Sequence, residues 1–141
     1  MDEKPVILLT VVTPEKTVLS EHPVDFVVLP AFGGELGVLP GHAPEVVQLK
    51  EGFLRYSSGK EKEVFSALSG FAEIYDNRVL VLAEAAELAK EIDEERAKQA
   101  WRKAKDAIAL QGDQIDIDEA QASLKRAAVR LKLAEYRKKH K

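Results

Sequence analysis

The hydrophobic pattern of this 141-residue chain changes its period once, near Glu84. Before that point, short β-branched and apolar runs alternate with polar turns. After it, apolar residues recur at three- and four-residue spacing, as they do on one face of an α-helix. Strands followed by helices indicate the α+β class. We therefore predict a β domain over residues 1–84 and a helical domain over residues 85–141.

Eight short runs in the N-terminal part carry the strand signal, each bounded by proline, glycine or polar residues. Runs of this kind at close spacing, without helices between them, predict an antiparallel β-sandwich. We expect the polar stretch Ser20 to Pro23 to separate the second strand from the third. The predicted strands span residues 6–13, 17–19, 24–29, 46–49, 53–56, 63–65, 71–75 and 78–82.

The stretch Gly33 to Pro44, GGELGVLPGHAP, is dense in residues that favour turns. Gly33-Gly34 and Pro40-Gly41 predict two tight turns, because glycine accepts positive φ and proline fixes φ. We interpret the whole stretch as a rigid loop. It either only connects two strands, or forms a docking surface with Glu35 and His42 exposed at its rim.

The pattern after Glu84 predicts two amphipathic helices joined by a short connection, which indicates an antiparallel hairpin. Asp93 is the expected N-cap of the first helix, and Gln111-Gly112-Asp113 its expected end. Asp116 is the expected N-cap of the second helix, with Glu119 completing a capping box. The predicted apolar stripes are Ala97, Ala100, Trp101, Ala104, Ala107 and Ile108 in the first helix, and Ile117, Ala120, Leu124, Ala127, Leu131 and Ala134 in the second.

The seam between these helices is rich in alanine, with ten alanines against eight Leu, Ile or Val between Ala97 and Ala134. Alanine favours the helix but buries little surface, so each helix should persist while their mutual contact is weak. Two alternatives follow. The hairpin is either a closed C-terminal element, or an element that detaches without melting.

No pattern typical of an enzyme is present, and we expect neither catalytic residues nor a metal site. The chain has no cysteine, and His22, His42 and His140 lie in unrelated contexts without metal-ligand spacing. The glycine-rich stretch has neither the lysine nor the following helix of a phosphate-binding loop. The N-terminus lacks an apolar signal core, and no run is long enough to cross a bilayer.

Charge is divided unevenly along the chain. Residues 1–84 carry a balance of −6 and residues 85–141 a balance of +3, with eight basic residues and one acid between Lys125 and Lys141. The basic end is either a solvated helix face or a binding surface for nucleic acid or acidic lipid. The only aromatic residue in it is Tyr136, and no nucleic-acid motif is present.

Several fragments occur in an order that carries a family resemblance: VVTPE (11–15), GELGVLPGHAP (34–44), SGFAEI (69–74), LAEAAE (82–87) and IDEERA (92–97). Together they resemble the ε subunit of bacterial F-type ATP synthases, over essentially the whole chain. The resemblance implies a non-catalytic rotor subunit in the central stalk, peripheral at the cytoplasmic face of the membrane. It further implies a mobile hairpin that inhibits ATP hydrolysis.

The resemblance also implies partners. The β domain would couple the γ subunit to the c-ring, with Glu35 facing the c-ring, His42 on the γ side and Gly41 as a further contact residue. The hairpin would contact the α/β catalytic subunits. A free-standing adaptor whose basic hairpin binds RNA or another polyanion is the alternative.

IDEERA resembles the motif through which some ε subunits bind ATP as a regulatory ligand, with no cofactor required. Arg96 can pair with a phosphate, and the small Ala97 permits close approach. The alternative is an ordinary capped helix start with i,i+4 ion pairs. The residues implied are Glu87, Ile92, Asp93, Arg96, Ala97, Arg126 and Arg130, with Lys103 where such members carry arginine.

Overall fold

The computed structural model describes residues 4–110 and 116–139 and divides the chain into two units, residues 1–88 and 89–141. The first unit is a β-sandwich and the second contains two helices, which confirms the predicted fold class. The strands are β1 (Ile7–Val12), β2 (Thr17–Val24), β3 (Phe26–Ala31), β4 (Gly34–Val38), β5 (Glu45–Leu49), β6 (Gly52–Ser58), β7 (Glu61–Tyr75) and β8 (Arg78–Leu88); the helices are α1 (Glu94–Leu110) and α2 (Ile117–Lys139).

The strands pair in the order β2-β1-β8-β7-β5-β3-β4, and β6 pairs with both β3 and β7. Strands β3 and β7 therefore each pair with three others and connect the two layers of the sandwich. Every pair is antiparallel except β1 with β8, which are parallel. A parallel pair needs a long connection, and the six strands between β1 and β8 supply it.

Alternation along the strands builds the core. In β1 the side chains of Ile7, Leu9 and Val11 are buried, while the residues between them are only partly covered. Residues i and i+2 of a strand share a face, so one face of each strand points inward. The largest fully buried side chains of the β domain are Phe65, Ile7, Leu9, Leu29, Leu49 and Leu54.

The stretch Ser20 to Pro23 does not separate two strands, contrary to the prediction, because β2 continues through it to Val24. A register shift between Leu9 and Val11, together with the positive φ of 42° at Glu21, accommodates the irregularity. Pro23 is tolerated because β2 is the terminal strand of the pairing order, where a missing N–H leaves no neighbour unpaired.

The predicted strands 63–65 and 71–75 form one 15-residue strand, β7, which pairs with β8 from Phe65 to Tyr75. Gly70 makes this continuity possible, because a Cβ there would overlap the carbonyl oxygen of Leu82 and lie 2.9 Å from the Cα of Ala83. β8 likewise runs to Leu88, beyond the boundary near Glu84 that the change of period had indicated.

The helical unit begins with a 3-10 turn, Ala89–Glu91. Asp93 caps α1 by accepting the Arg96 backbone N–H at 3.1 Å, and Asp116 caps α2 by accepting that of Glu119 at 3.1 Å. Both predicted caps are confirmed. The predicted end of the first helix, Gln111 to Asp113, lies outside the described residues.

The helices are antiparallel, because Lys138 near the end of α2 contacts Glu94 at the start of α1. Ala97, Ala104, Ala120, Ala127 and Ala134 are buried, as the predicted stripes require. Two positions differ from the prediction. Ile117 is 43% exposed, since it is the first residue of its helix, and Leu133, outside the predicted stripe, is fully buried. Within the described residues, neither helix is long and apolar enough to span a membrane.

Candidate functional site

The IDEERA segment forms the entry into α1. Ile92 and Ala97 are 5% and 2% exposed, so both serve as packing residues here. One carboxylate oxygen of Asp93 is engaged by the helix cap. Arg96 follows in the first turn of α1, where its side chain is exposed. Of these four positions, Arg96 is the one whose side chain is most available to an anionic ligand.

Arg126 on α2 is already engaged. Its Nη2 donates to Oε1 of Glu119 and to Oγ of Ser123, both at 3.0 Å. The side chain of Glu119, which the sequence predicted to complete a capping box, pairs with Arg126. An anion that approached Nη2 of Arg126 would compete with Glu119, whose side chain is 65% exposed and contributes little by itself. Arg130, four residues further along, is half-buried.

A groove of about 370 Å³ lies between the two helices. Four of its eight lining residues are alanine, and these small side chains leave the space open. Lys103 of α1 and Ser123 of α2 line it, so Lys103 and Arg126 approach the same part of the hairpin. The full lining is Ala100, Lys103, Ala104, Ala107, Asp116, Glu119, Ala120 and Ser123. Glu87 lies on β8 in the other unit, where its backbone carbonyl accepts from Ser66 Oγ at 3.5 Å.

The end of α2 contacts the start of the helical unit through two residues that the sequence did not single out. Arg137 Nη1 donates to the carbonyl oxygens of Ala89 at 2.6 Å and Ile92 at 3.5 Å. Lys138 Nζ lies 2.7 Å from Oε2 of Glu94. The hydrogen bond from Lys138 holds the pKa of Glu94 below its usual value. An antiparallel hairpin places the end of α2 beside the start of α1. The register of the two predicted helices was therefore the sequence signal that could have identified Arg137 and Lys138.

In the β domain, the glycine-rich stretch is not a continuous loop, contrary to the prediction. Gly34–Val38 is strand β4, paired with β3, because Leu36 and Val38 supply apolar contacts to the core. The second predicted turn is confirmed: His42 N–H donates to the Leu39 carbonyl at 3.1 Å, and Gly41 has a φ of 88°. These are the features of a type II turn with Pro40 and Gly41 at its centre.

The three predicted contact residues occupy different places. Glu35 lies on β4, is 67% exposed and pairs with Arg55 at 2.6 Å. Gly41 and His42 lie beyond the other end of β4, roughly 10 Å or more from Glu35 for a strand of this length. His42 Nδ1 is 2.7 Å from the Ala43 carbonyl, and its Nε2 is 3.8 Å from a Glu45 carboxylate oxygen. Asn77, which sequence reasoning missed, accepts the Gly41 N–H at 2.7 Å.

The outer face of β5, β7 and β8 exposes large apolar side chains. Val46, Phe71 and Leu82 are 71%, 53% and 50% exposed, respectively. Phe71 pairs with Gln48 on one side and Leu82 on the other, so these side chains share one face. We call Val46, Phe71 and Leu82 the apolar face. Exposed apolar clusters of this kind mark interaction surfaces more often than isolated residues do.

The architecture and these surfaces can be compared with known proteins. The β-sandwich domain of the ATP synthase delta/epsilon chain matches residues 7–89, and the long α-helix domain of the same chain matches residues 90–135. The chain belongs to the ATP synthase delta/epsilon chain family. The resemblance seen in the sequence is thereby confirmed over most of the chain.

Curated relatives agree with this family assignment. The ATP synthase epsilon chain of Syntrophobacter fumaroxidans is 48% identical over 129 residues, which cover 92% of this chain and 96% of the relative. Those of Desulforamulus reducens and Symbiobacterium thermophilum are 46% and 44% identical, over 90% and 89% of this chain and 96% and 91% of the relatives. These epsilon chains therefore align with this chain across both domains of the delta/epsilon family.

Two solved structures are also similar to this chain. A chain of the Euglena gracilis mitochondrial ATP synthase, in a structure of OSCP, F1 and the c-ring, has a TM-score of 0.73 and 26% identity, covering 92% of this chain and 81% of that one. A chain from the Tetrahymena thermophila central stalk and c-ring shares the fold, with a TM-score of 0.54 and 14% identity over 92% of this chain and 96% of that one.

Proposed function

We propose that this chain is the ε subunit of an F-type ATP synthase, a non-catalytic rotor subunit of the central stalk. The observation that carries the proposal is the presence of both family domains in order over residues 7–135, with epsilon chains 44–48% identical over most of their length. As part of the synthase, the subunit lies peripherally at the cytoplasmic face of the membrane.

The β domain couples the γ subunit to the c-ring. Glu35, on β4 beside Arg55, faces the c-ring, while Gly41 and His42 lie on the γ side. The separation of these residues along β4 supports contacts with two different partners. The apolar face supports docking of γ, because the buried cores of protein interfaces are rich in large apolar and aromatic side chains.

The hairpin restrains ATP hydrolysis by opening and contacting the α/β catalytic subunits. The alanine seam supports this role, since the buried side chains between the helices are mostly alanines. The basic residues of α2 provide charge for an acidic partner once the helices separate. In the closed hairpin, Arg137, Lys138 and Lys139 are engaged by other residues of the same unit.

ATP acts as a regulatory ligand of the closed hairpin. Arg96 and Lys103 of α1 and Arg126 and Arg130 of α2 provide cations from both helices, and cations of this kind pair with phosphate oxygens. Asp93, Ile92 and Ala97 shape the entry to α1, and Glu87, on β8 of the first unit, is included on the family resemblance alone. Bound at 100 times its dissociation constant, ATP would stabilise the closed form by about 2.7 kcal/mol.

The test of the ATP site is a calorimetric titration of the full chain with ATP. The parent chain should give saturable heat for one site, and Arg126→Ala should lose it. Arg102→Ala removes an exposed arginine of α1 outside the set and should bind ATP like the parent. No heat from the parent at millimolar ATP would reject nucleotide sensing while leaving the rotor assignment intact.

The test of the rotor assignment is co-purification with γ. The parent chain should retain γ, Phe71→Asp should release it, and Phe32→Asp should retain it. Phe32 is also highly exposed, at 62%, but lies in the turn between β3 and β4. A chain that shifts generic RNA in a salt-dependent way and retains no γ would instead support the adaptor alternative.

A further inference from the structure

The last two turns of α2 fasten the hairpin at its open end. Arg137 binds the carbonyl oxygens of Ala89 and Ile92, and Lys138 binds Glu94. We call Arg137 and Lys138 the latch. The latch joins the end of α2 to the entry of α1. Both of these lie far along the sequence from the connection between the two helices. Separating α1 from α2 at this end requires these contacts to break.

Arg137 makes the stronger of the two contacts. Its donor is charged, and its shorter hydrogen bond, to Ala89, is 2.6 Å long and partly buried. Ala89 and Ile92, whose carbonyls it binds, are 6% and 5% exposed. Charge-assisted hydrogen bonds that are shielded from water contribute more than exposed ion pairs. The Lys138–Glu94 pair is more exposed, with Lys138 at 58%, and therefore adds less.

The same carbonyl oxygen of Ala89 also accepts the backbone N–H of Ile92 at 3.3 Å. Arg137 thus binds the 3-10 turn that leads directly into the Ile92-Asp93 entry of α1. The contact fixes the backbone of that entry as well as the distance between the helix ends. The family match to the helical domain ends at residue 135, so the latch lies just beyond the matched segment.

Elsewhere the seam between the helices is weak. The buried residues along it are mostly alanine, and an alanine contributes much less by burial than a leucine. Leu133 and Ala134, both fully buried, lie within one turn of Arg137. The closed hairpin consequently depends heavily on contacts at this end.

We propose that Arg137 and Lys138 hold the hairpin closed, and that releasing them is the step which frees the helices to inhibit hydrolysis. The second half of this statement rests on the proposed function; the first half does not. Loss of the Arg137 contact should raise the ratio of open to closed hairpin about tenfold, the change expected for a hydrogen bond to a charged group.

The chain contains no cysteine, so spin labels can be attached at introduced positions without removing native residues. Gln99→Cys on α1 and Lys132→Cys on α2 are both exposed and suitable. The distance between the labels is measured by pulsed electron paramagnetic resonance in the full chain, for the parent, Arg137→Gln, Lys138→Gln and Lys139→Gln. Lys139 is the matched control, because it pairs with Glu135 of its own helix.

The parent should show one short distance. Arg137→Gln should add a population at long distance, Lys138→Gln a smaller one, and Lys139→Gln none. Equal distributions in all four chains would overturn the proposal. So would loss of the helical circular dichroism of Arg137→Gln without a long distance, because the contact would then support helix formation and not closure.

Hydrolysis by the assembled complex separates this proposal from the proposed function. If Arg137→Gln opens the hairpin but leaves hydrolysis unchanged, the latch stands and the inhibitory role fails. If deletion of residues 93–141 raises hydrolysis while Arg137→Gln changes neither distance nor rate, the inhibitory role stands and the latch fails.

Discussion

The side-chain oxygen of Asn77 accepts a hydrogen bond from the backbone N–H of Gly41 at 2.7 Å, across 36 residues of sequence. This contact joins the Pro40-Gly41 turn to the turn between β7 and β8. The backbone carbonyl of Asn77 also accepts the Leu8 N–H, at 3.0 Å. Asn77 therefore positions the turn that we propose to lie on the γ side, although it lies far from that turn in the sequence.

Replacing Asn77 tests this positioning. Asn77 has a φ of 57°, which glycine accepts without strain, so Asn77→Gly should keep the β7–β8 turn and lose only the acceptor for Gly41. Losing the hydrogen bond lowers the free energy of unfolding, but relieving the positive φ at this position offsets part of that loss. The deciding measurement is therefore amide exchange. The Gly41 amide should exchange faster in Asn77→Gly than in the parent.

Asn77→Asp is the matched control, because aspartate keeps an acceptor oxygen and tolerates the same φ. Its Gly41 amide should exchange like that of the parent. Equal protection of this amide in all three chains would show that the side chain of Asn77 does not hold the turn.

Gly70→Ala should destabilise the β domain. The new methyl group would overlap the carbonyl oxygen of Leu82, so the paired backbones of β7 and β8 must move apart. We expect the free energy of unfolding in urea to fall by about 2–4 kcal/mol. Gly33→Ala is the control, since an added Cβ there meets nothing within 4 Å, and its unfolding should match the parent. A Gly70→Ala chain as stable as Gly33→Ala would contradict the close approach.

Tyr56 should make the β domain sensitive to alkaline pH. Burial, followed by the nearby Glu61 and Glu63, raises the pKa of Tyr56 above its usual value of 10.0. The pKa of Tyr56 is higher in the folded than in the unfolded chain. Its contribution to the free energy of unfolding is therefore complete below about pH 10 and is lost as the pH rises towards the folded pKa. Tyr56→Phe should therefore lose less stability than the parent between pH 9 and 11.

Tyr75→Phe, at a 44% exposed tyrosine, controls for the titration of lysines in the same range. It should follow the parent in urea unfolding at each pH. If Tyr56→Phe and Tyr75→Phe lose stability in parallel, the tyrosine at position 56 does not contribute to the alkaline transition.

Glu94 should make the hairpin sensitive to acid. Its pKa is lowered chiefly by the hydrogen bond from Lys138, with a further contribution from Lys98. A lowered folded pKa gives stability that is present above the unfolded value of 4.5 and is lost as the pH falls through the folded pKa. Helical circular dichroism during thermal unfolding, between pH 6 and 3, should show a smaller acid dependence for Glu94→Gln than for the parent. Glu95→Gln, at the exposed neighbouring residue, should keep the parent's dependence.

The strands were predictable where alternation was undisturbed, as in Ile7–Val12 and Arg78–Leu82. Prediction failed where backbone pairing outweighed residue preference. Pro23 and Gly34 both lie in strands, because Pro23 is on a terminal strand and Gly34 pairs with Ala31 across a tight turn. Gly70 lies between the predicted strands 63–65 and 71–75, yet its missing side chain is what allows β7 to remain continuous.

The helical unit shows the same limit at the level of side chains. The caps at Asp93 and Asp116 follow from local sequence and were predictable. The partner of Arg126 is Glu119, seven residues away on the same helix, and that of Arg137 is a carbonyl 48 residues away. Helical periodicity predicts the face on which a residue lies. The partner of a long basic side chain also depends on the register of the two helices and on which backbone carbonyl oxygens are available at the entry of the other helix.

The most direct test of the whole account is ATP hydrolysis by the synthase carrying either the full chain or a chain that ends at Ile92. The truncated chain keeps the β domain, so it should still assemble with γ and the c-ring. The account predicts that the truncated complex hydrolyses ATP faster than the complete one. Equal rates in two fully assembled complexes would contradict an inhibitory hairpin.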